Sequence, residues 1–226
     1  TAGALAELIE HVMVKDFPRL NLDEARVILL EASPHLISAY PDDLRRATYR
    51  LLRDKNVEIL LNTKMESYDG QRVSLGDGAQ IESRTLIWTA GVKAAELADR
   101  LGVEQAAAGR VRVEPTLQLP RRREVFVIGD AAFLVNGGGQ PLPMLSPVAI
   151  QQGKAAADSI RRLVAGGEAV PFRYKDPGLL ATVGRNAAVA RIFGLSFSGL
   201  IAWLIWVGLH IYRIIGFRNR LIVMFN

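Results

Sequence analysis

An aspartate standing just past a short apolar run is the position in this chain best suited to hold a ligand. In Val125-Phe126-Val127-Ile128-Gly129-Asp130-Ala131-Ala132, four consecutive β-branched or aromatic residues stop at a glycine. That is the pattern of a parallel strand covered on both faces. Such a strand delivers the Asp130 carboxylate to the carboxyl end of a sheet, where open α/β folds bind ligands, and Gly129 lets a ligand or another chain approach the backbone. An N-cap for a following helix suits the same aspartate, and the pattern alone does not choose between the two.

A second acid is placed the same way. Residues 26–31 (RVILLE) read as a buried strand ending in Glu31. A helix feeding a strand that ends in an acid is the later half of a dinucleotide-binding βαβ unit, in which the acid accepts hydrogen bonds from a ribose diol and repels a 2′-phosphate. Glu31 could equally cap the turn that follows it. Residues 85–89 (TLIWT) form another buried-type run and end in Ala90-Gly91-Val92. Small residues there admit a flat ligand close to the backbone, or simply allow a tight strand-to-helix turn. Gly137-Gly138-Gly139 is no phosphate loop, because no Lys-Ser or Lys-Thr follows it.

The elements that must position these residues follow from periodicity. Leu5, Leu8, Ile9, Val12 and Met13 predict an amphipathic helix over residues 2–15, with only Ala2-Gly3-Ala4 where a glycine-rich turn would finish. The spacing predicts helices over 42–54, 93–102 and 146–163, the last with Ser146 as N-cap and Pro147 in its first turn. Short antiparallel strands are expected at 65–68, 71–75 and 80–82, and glycine-interrupted β segments over 172–193.

The charge of +5 lies entirely in residues 166–226, which hold seven Lys or Arg against two acids. Residues 192–209 carry no charge and include Phe193, Phe197, Trp203 and Trp206. A basic, aromatic and apolar tail suits an in-plane membrane anchor better than nucleic acid, with a buried helix and a single span as alternatives. The absence of cysteine excludes disulfides, thiolate metal sites and a cysteine redox relay, and the scattered His11, His35 and His210 suggest no metal site.

Taken in order, VFVIGDAA, Trp88-Thr89-Ala90-Gly91-Val92, Val148-Ala149-Ile150-Gln151-Gln152-Gly153 and Ala181-Thr182-Val183-Gly184-Arg185 resemble the type II NADH dehydrogenases, single-subunit flavoprotein NADH:quinone oxidoreductases. The resemblance implies an α/β, Rossmann-like flavoprotein with two dinucleotide-binding domains, incomplete at the N-terminus, and a C-terminal amphipathic membrane-binding segment. It divides the chain into the later part of an NADH-binding domain (1–93), the second half of an FAD-binding domain (94–165) and an anchor (166–226), with both glycine fingerprints expected upstream. FAD is the implied cofactor, NADH the substrate and quinone the acceptor, with no metal. The implied place is the cytoplasmic face of a bacterial inner membrane, bound peripherally through residues 192–226 and open to homodimer formation.

Residue by residue, Asp130 matches the acid on the FAD ribityl chain, with Gly129 and Ala131 giving backbone proximity. Glu31 matches the acid on the adenine-side ribose of NADH, and Ala90 and Gly91 the turn beside the nicotinamide. Gln151 matches the second glutamine of the motif Ala-Gln-x-Ala-x-Gln, between flavin and quinone, and so is the candidate catalytic residue. Ser146 and Pro147 replace the motif's first two residues. Gly184 and Lys175 match positions near the flavin and quinone side. Sulfide:quinone oxidoreductase chemistry is disfavoured because it needs a redox cysteine, and a non-catalytic membrane-associated nucleotide-binding module is the rival of a different class.

Overall fold

Apolar residues three and four apart carry the chain from Ala2 onward in one helical run, as their spacing predicts. In the computed structural model, which describes residues 1–214, this run is α-helical over Ala2–Glu7, π-helical over Leu8–Met13 and α-helical again over Val14–Asp16. Arg218 and Arg220 of the expected anchor lie outside the described residues. Packing divides the described residues into two units, residues 1–87 with 178–214, and Trp88–Pro177. Residues 178–214 therefore fold with the first unit.

In the first unit, strand Val27–Leu30 pairs in parallel with Val57–Leu60, in register from Val27 opposite Val57 to Leu30 opposite Leu60. The helix between them, Asp42–Arg53, has Asp42 and Asp43 in its first turn and Arg50 and Arg53 in its last, which complements its dipole. Its buried face is Leu44, Ala47, Thr48 and Leu52. Met65–Tyr68, Arg72–Leu75 and Gln80–Glu82 form the expected antiparallel meander.

A second antiparallel sheet, Leu179–Gly184, Ala187–Ile192 and Leu195–Gly199, is covered by a helix on each face. Side chains alternate across the strand. Val189 packs with Leu44 and Ala47 of the Asp42–Arg53 helix, while Ala188 and Ala190 pack with Ala202 of the final helix, Leu200–Arg213. Ser196 also hydrogen-bonds Asp43, which holds that carboxyl below its ordinary value. The uncharged run over 192–209 is thus broken into a strand end, a second strand and a helix, because the chain reverses at Phe193 and Gly194 and turns again at Gly199, all with positive φ. A helix of 14 residues spans about 21 Å, short of the ~30 Å hydrocarbon core. No helix among the described residues is long and apolar enough to cross a membrane.

The first helix docks on this sheet through Gly3, where a Cβ would stand 2.0 Å from the Val183 carbonyl oxygen. One turn later Glu7 forms an ion pair with Lys55, and both its oxygens accept the Arg185 N–H, at 2.9 and 3.0 Å. Burial by itself pushes the Glu7 carboxyl up. The Lys55 and Arg185 hydrogen bonds and the Lys55 and His11 charges outweigh it, holding the carboxyl below its ordinary 4.5. A folded value below the unfolded one means that the contribution to stability is complete above about 4.5 and is lost as pH falls through the folded value. Glu7→Gln is expected to destabilise the protein by about 1–3 kcal/mol at neutral pH and by less in acid. Urea midpoints across a pH series would show this, and an unchanged midpoint at neutral pH would remove Glu7 from the contact.

The second unit departs most from expectation. The apolar run over 125–128 is not a parallel strand. Strand Arg122–Phe126 returns antiparallel on Gln118–Leu119 through a turn with Arg121 at φ 65, and ends before Val127, whose N–H donates to the Leu117 carbonyl. A nearby hairpin partner needs only a tight turn, whereas parallel pairing needs a crossover. Residues 85–89, also expected as a buried strand, have no ladder partner among the described residues, and Trp88 is 64% exposed. The helix expected over 93–102 is a 3₁₀ segment, Glu96–Leu101. Ser146 is the first residue of its helix, Ser146–Val164, rather than its cap, which is Leu145, with Pro147 in the first turn. A two-stranded parallel pair, Val111–Arg112 with Ala132–Phe133, lies directly after the Gly129–Asp130 turn.

Candidate functional site

Asp130 lies in a short 3₁₀ turn, Gly129–Ala131, just beyond the hairpin. It is exposed, and the N-cap position belongs to Ile128, so the capping alternative does not describe it. Gly129 adopts φ 65, a left-handed conformation that glycine takes without strain. Its N–H donates to Oε1 of Gln152 at 2.6 Å. A Cβ on Gly129 would lie 3.4 Å from that of Ala149, so the Ser146–Val164 helix closes on the turn.

Gln152 is fully buried, and its Nε2 has no hydrogen-bond partner among the described residues. An orphaned buried donor costs about 1–3 kcal/mol. The turn therefore presents a carboxylate acceptor, a left-handed glycine and a nearby buried donor. That set suits a ligand bearing both hydroxyl groups and acceptor atoms, as the ribityl chain and ring of a flavin do.

Beneath the turn, Arg110 is buried and donates twice to the Ala132 carbonyl, from Nε at 2.9 Å and Nη2 at 2.5 Å. Its guanidinium lies 5.4 Å from the centre of the Phe133 ring. Burial makes Arg110 give up its proton more readily, and the Asp130 charge partly offsets this. Neither Arg110 nor Gln152 is among the site residues expected from the sequence, although Gln152 lies in one of the segments that carry the resemblance. The available signal for Gln152 was its place on the helix face shared with Val148, Ala156 and Ser159.

Gln151 points its amide elsewhere. Its Nε2 donates to the Lys175 carbonyl at 2.8 Å and its Oε1 accepts the Lys175 N–H at 3.0 Å. Two residues marked separately in the sequence are thus joined, but through the backbone of Lys175, whose side chain is exposed. Ala90 and Gly91 are exposed at the start of the same unit, Gly91 with φ 93 and its N–H on the Thr89 carbonyl.

In the first unit, Glu31 ends its strand half-buried, and its Oε1 accepts the Ser33 N–H at 2.8 Å, the turn-capping contact weighed above. Ligand binding at Glu31 would be added to that role. Gly184 ends a strand of the same unit. A Cβ there would stand 2.7 Å from Glu7 Oε1 and 2.8 Å from Lys55 Cε, so its smallness accommodates the ion pair. The groove beside that pair, about 620 Å³ and lined by Glu7, Leu8, His11, Lys55 and Arg185 among others, contains none of the sequence-predicted site residues. No cluster of metal-ligating side chains occurs among the described residues.

Comparison with known proteins bears on what this arrangement holds. Residues 2–153 match the family model described as pyridine nucleotide-disulphide oxidoreductase. A relative from Mycobacterium tuberculosis, the type II NADH:quinone oxidoreductase Ndh, is 37% identical over 100% of this chain and 50% of its own length. The chain spans about half the length of the curated relatives it matches. Among solved structures, NDH2 from Plasmodium falciparum in complex with NADH superposes with a TM-score of 0.83 at 12% identity, covering 96% of this chain and 60% of that one. The sulfide:quinone oxidoreductase of Aquifex aeolicus gives 0.68 at 14% identity, over 91% of this chain and 52% of that one. At these identities the structural likeness establishes the Rossmann-like α/β fold.

Proposed function

The chain belongs to the pyridine nucleotide-disulphide oxidoreductase family, and on that premise we propose that it is part of an FAD-dependent NADH:quinone oxidoreductase that binds a membrane surface without pumping protons. The observation that carries this reading is the similarity along the whole chain to a relative of that named activity. Likeness of fold extends to a sulfide:quinone oxidoreductase. This chain contributes no cysteine to sulfide chemistry.

FAD, when bound, would supply the two-electron chemistry by which NADH, quinone and a proton become NAD⁺ and quinol. The chain's own residues bind and orient. Asp130 accepts from the ribityl hydroxyls, and Gly129 and Ala131 let the cofactor lie against the backbone. Ala90 and Gly91 leave room beside the nicotinamide. Gln151 and Lys175, joined to each other, shape the edge between flavin and quinone. Gly184 is read as a quinone-side position of the first unit. In this reading residues 1–93 serve NADH, 94–165 serve FAD and 166–226 the membrane.

Glu31 accepts from the adenine-side ribose and disfavours a 2′-phosphate. Glu31→Gln is therefore expected to shift the ratio of kcat/KM for NADPH to that for NADH upward by roughly 10-fold. Unchanged cofactor preference would remove Glu31 from the site.

Apolar exposure supports the membrane surface as a partner. Phe193 is 99% exposed, and Ile201 and Leu204 on the final helix are 61% and 55% exposed. A 14-residue helix that is apolar up to His210 and ends in Arg213 is too short to span and suits peripheral attachment. The reading puts that attachment on the cytoplasmic face of a bacterial inner membrane and allows a homodimer. Ile201→Asp with Leu204→Asp should weaken partitioning onto lipid vesicles by roughly 100-fold while leaving the fold intact. Continued co-sedimentation of that variant would count against the anchor.

The reading as a whole is tested by the protein as its cell makes it, in lipid vesicles with NADH and a quinone analogue. One quinol formed per NADH oxidised is expected. A yellow protein that oxidises NADH without reducing the quinone would sink the assignment, and a colourless lipid-binding one would favour the non-catalytic nucleotide-binding module.

A further inference from the structure

We propose that Gln152, and not its neighbour Gln151, is the positioning residue of the flavin turn: it holds Gly129 by an accepted hydrogen bond and offers its remaining amide donor to the bound flavin. The inference rests on the flavin reading above. It begins from a helix face that is otherwise unremarkable. Along Ser146–Val164 the buried positions are Val148, Gln152, Ala156 and Ser159, and Gln152 is the most deeply buried of them. A long polar side chain at the centre of such a face is tolerated only if its amide is used.

Half of the amide is used within the chain. Gly129 N–H is a donor, so the atom facing it must be Oε1, and this fixes the orientation of the amide without appeal to a choice of flip. Nε2 is then the atom left over, buried and without an acceptor among the described residues. The bond falls on a residue at φ 65, immediately before Asp130. Rotation at Gly129 would swing the Asp130 carboxylate, and Gln152 blocks it by hydrogen bond as Ala149 does by contact. Gln151 does not share this task, because its amide faces the Lys175 backbone and not Gly129. The acceptor missing from Nε2 is assigned to the flavin.

The test uses the protein as its cell makes it, stripped of FAD and titrated with FAD by flavin fluorescence, with circular dichroism as the check on folding. Gln152→Met conserves bulk and removes both polar contacts. It is expected to weaken FAD binding by roughly 10- to 100-fold. Gln152→Glu keeps an acceptor for the Gly129 N–H, and when protonated it also offers one donor. It should therefore bind FAD nearly as well as Gln152 in acid and progressively less well as the carboxyl ionises. In a double-mutant cycle with Asp130→Asn, the two losses should be less than additive, since both act through one turn.

A folded Gln152→Met protein with wild-type FAD affinity, altered only in melting temperature, would overturn the proposal, as would strict additivity in the cycle. Should Gln152→Met fail to fold, Gln152→Glu decides, and wild-type affinity independent of pH would overturn the proposal. Failure of the flavin reading itself looks different: the unsubstituted protein would take up no FAD, and the assignment of Gln152 would fall with it.

Discussion

Replacing Asp130 by alanine is expected to yield a folded protein that loses its flavin. The carboxylate is exposed and caps nothing, so its contribution to folding is confined to the field it exerts on the buried Arg110. Arg110 keeps both hydrogen bonds to the Ala132 carbonyl without it, and the stability change should be about 1 kcal/mol or less. Toward a ligand the balance reverses. A carboxylate accepting from ribityl hydroxyls makes charge-assisted bonds, each roughly twice as strong as a neutral one, and their loss should weaken FAD binding by roughly 100-fold. Asp130→Asn, which keeps one acceptor oxygen but no charge, should fall between. Flavin absorbance per protein after dialysis, beside a melting curve, separates the two effects. Full flavin retention in the alanine variant would move the binding carboxylate elsewhere.

Gly3→Ala is expected to be strongly destabilising to the first unit. The added carbon would stand 2.0 Å from the Val183 carbonyl oxygen and 3.1 Å from its carbon, both backbone atoms that no rotamer change can move. Relief requires the helix to lift from the sheet, and Glu7 lies on the same helix one turn on, tied to Lys55 and to the Arg185 N–H. The clash therefore cannot be relieved while the ion pair is kept, and the penalty should reach about 3 kcal/mol or more, the upper range for overpacking. Gly208 supplies the contrast. It is exposed in the final helix with nothing within 4 Å of a Cβ, and Gly208→Ala should stabilise by about 0.5–1 kcal/mol. Urea unfolding of both variants measures the difference. Equal midpoints for Gly3→Ala and the unsubstituted protein would show that the helix has room to move.

Much of the local structure was legible because its signals are local. The helix over Asp42–Arg53 carries acids at one end, arginines at the other and an apolar face between, and the meander from Met65 to Glu82 has its turns marked by Asp69-Gly70 and Gly76-Asp77-Gly78. The apolar runs over 85–89 and 125–128 misled for the same reason. A run of β-branched and aromatic residues reports that a segment suits a strand, while a strand exists only where a neighbour completes its ladder. Residues 125–126 found a hairpin partner on Gln118–Leu119, and residues 85–89 found none among the described residues.

By itself, the sequence determined the kinship of the chain, the acids at the ends of the RVILLE and VFVIGD runs, and that these 226 residues supply no cysteine. These depend on residue type and order alone. Only the tertiary structure decided which side chains hold the candidate site together. Gln151 and Gln152 are chemically identical neighbours, yet a step of one residue turns a helix by about 100°. One amide is thereby sent to the Lys175 backbone and the other into the interior against Gly129. Arg110 was one of 28 basic residues until burial set it under Ala132 and Phe133. Direction and burial are properties of the packed chain, set by what lies across the turn, and no pattern of residue types encodes them directly.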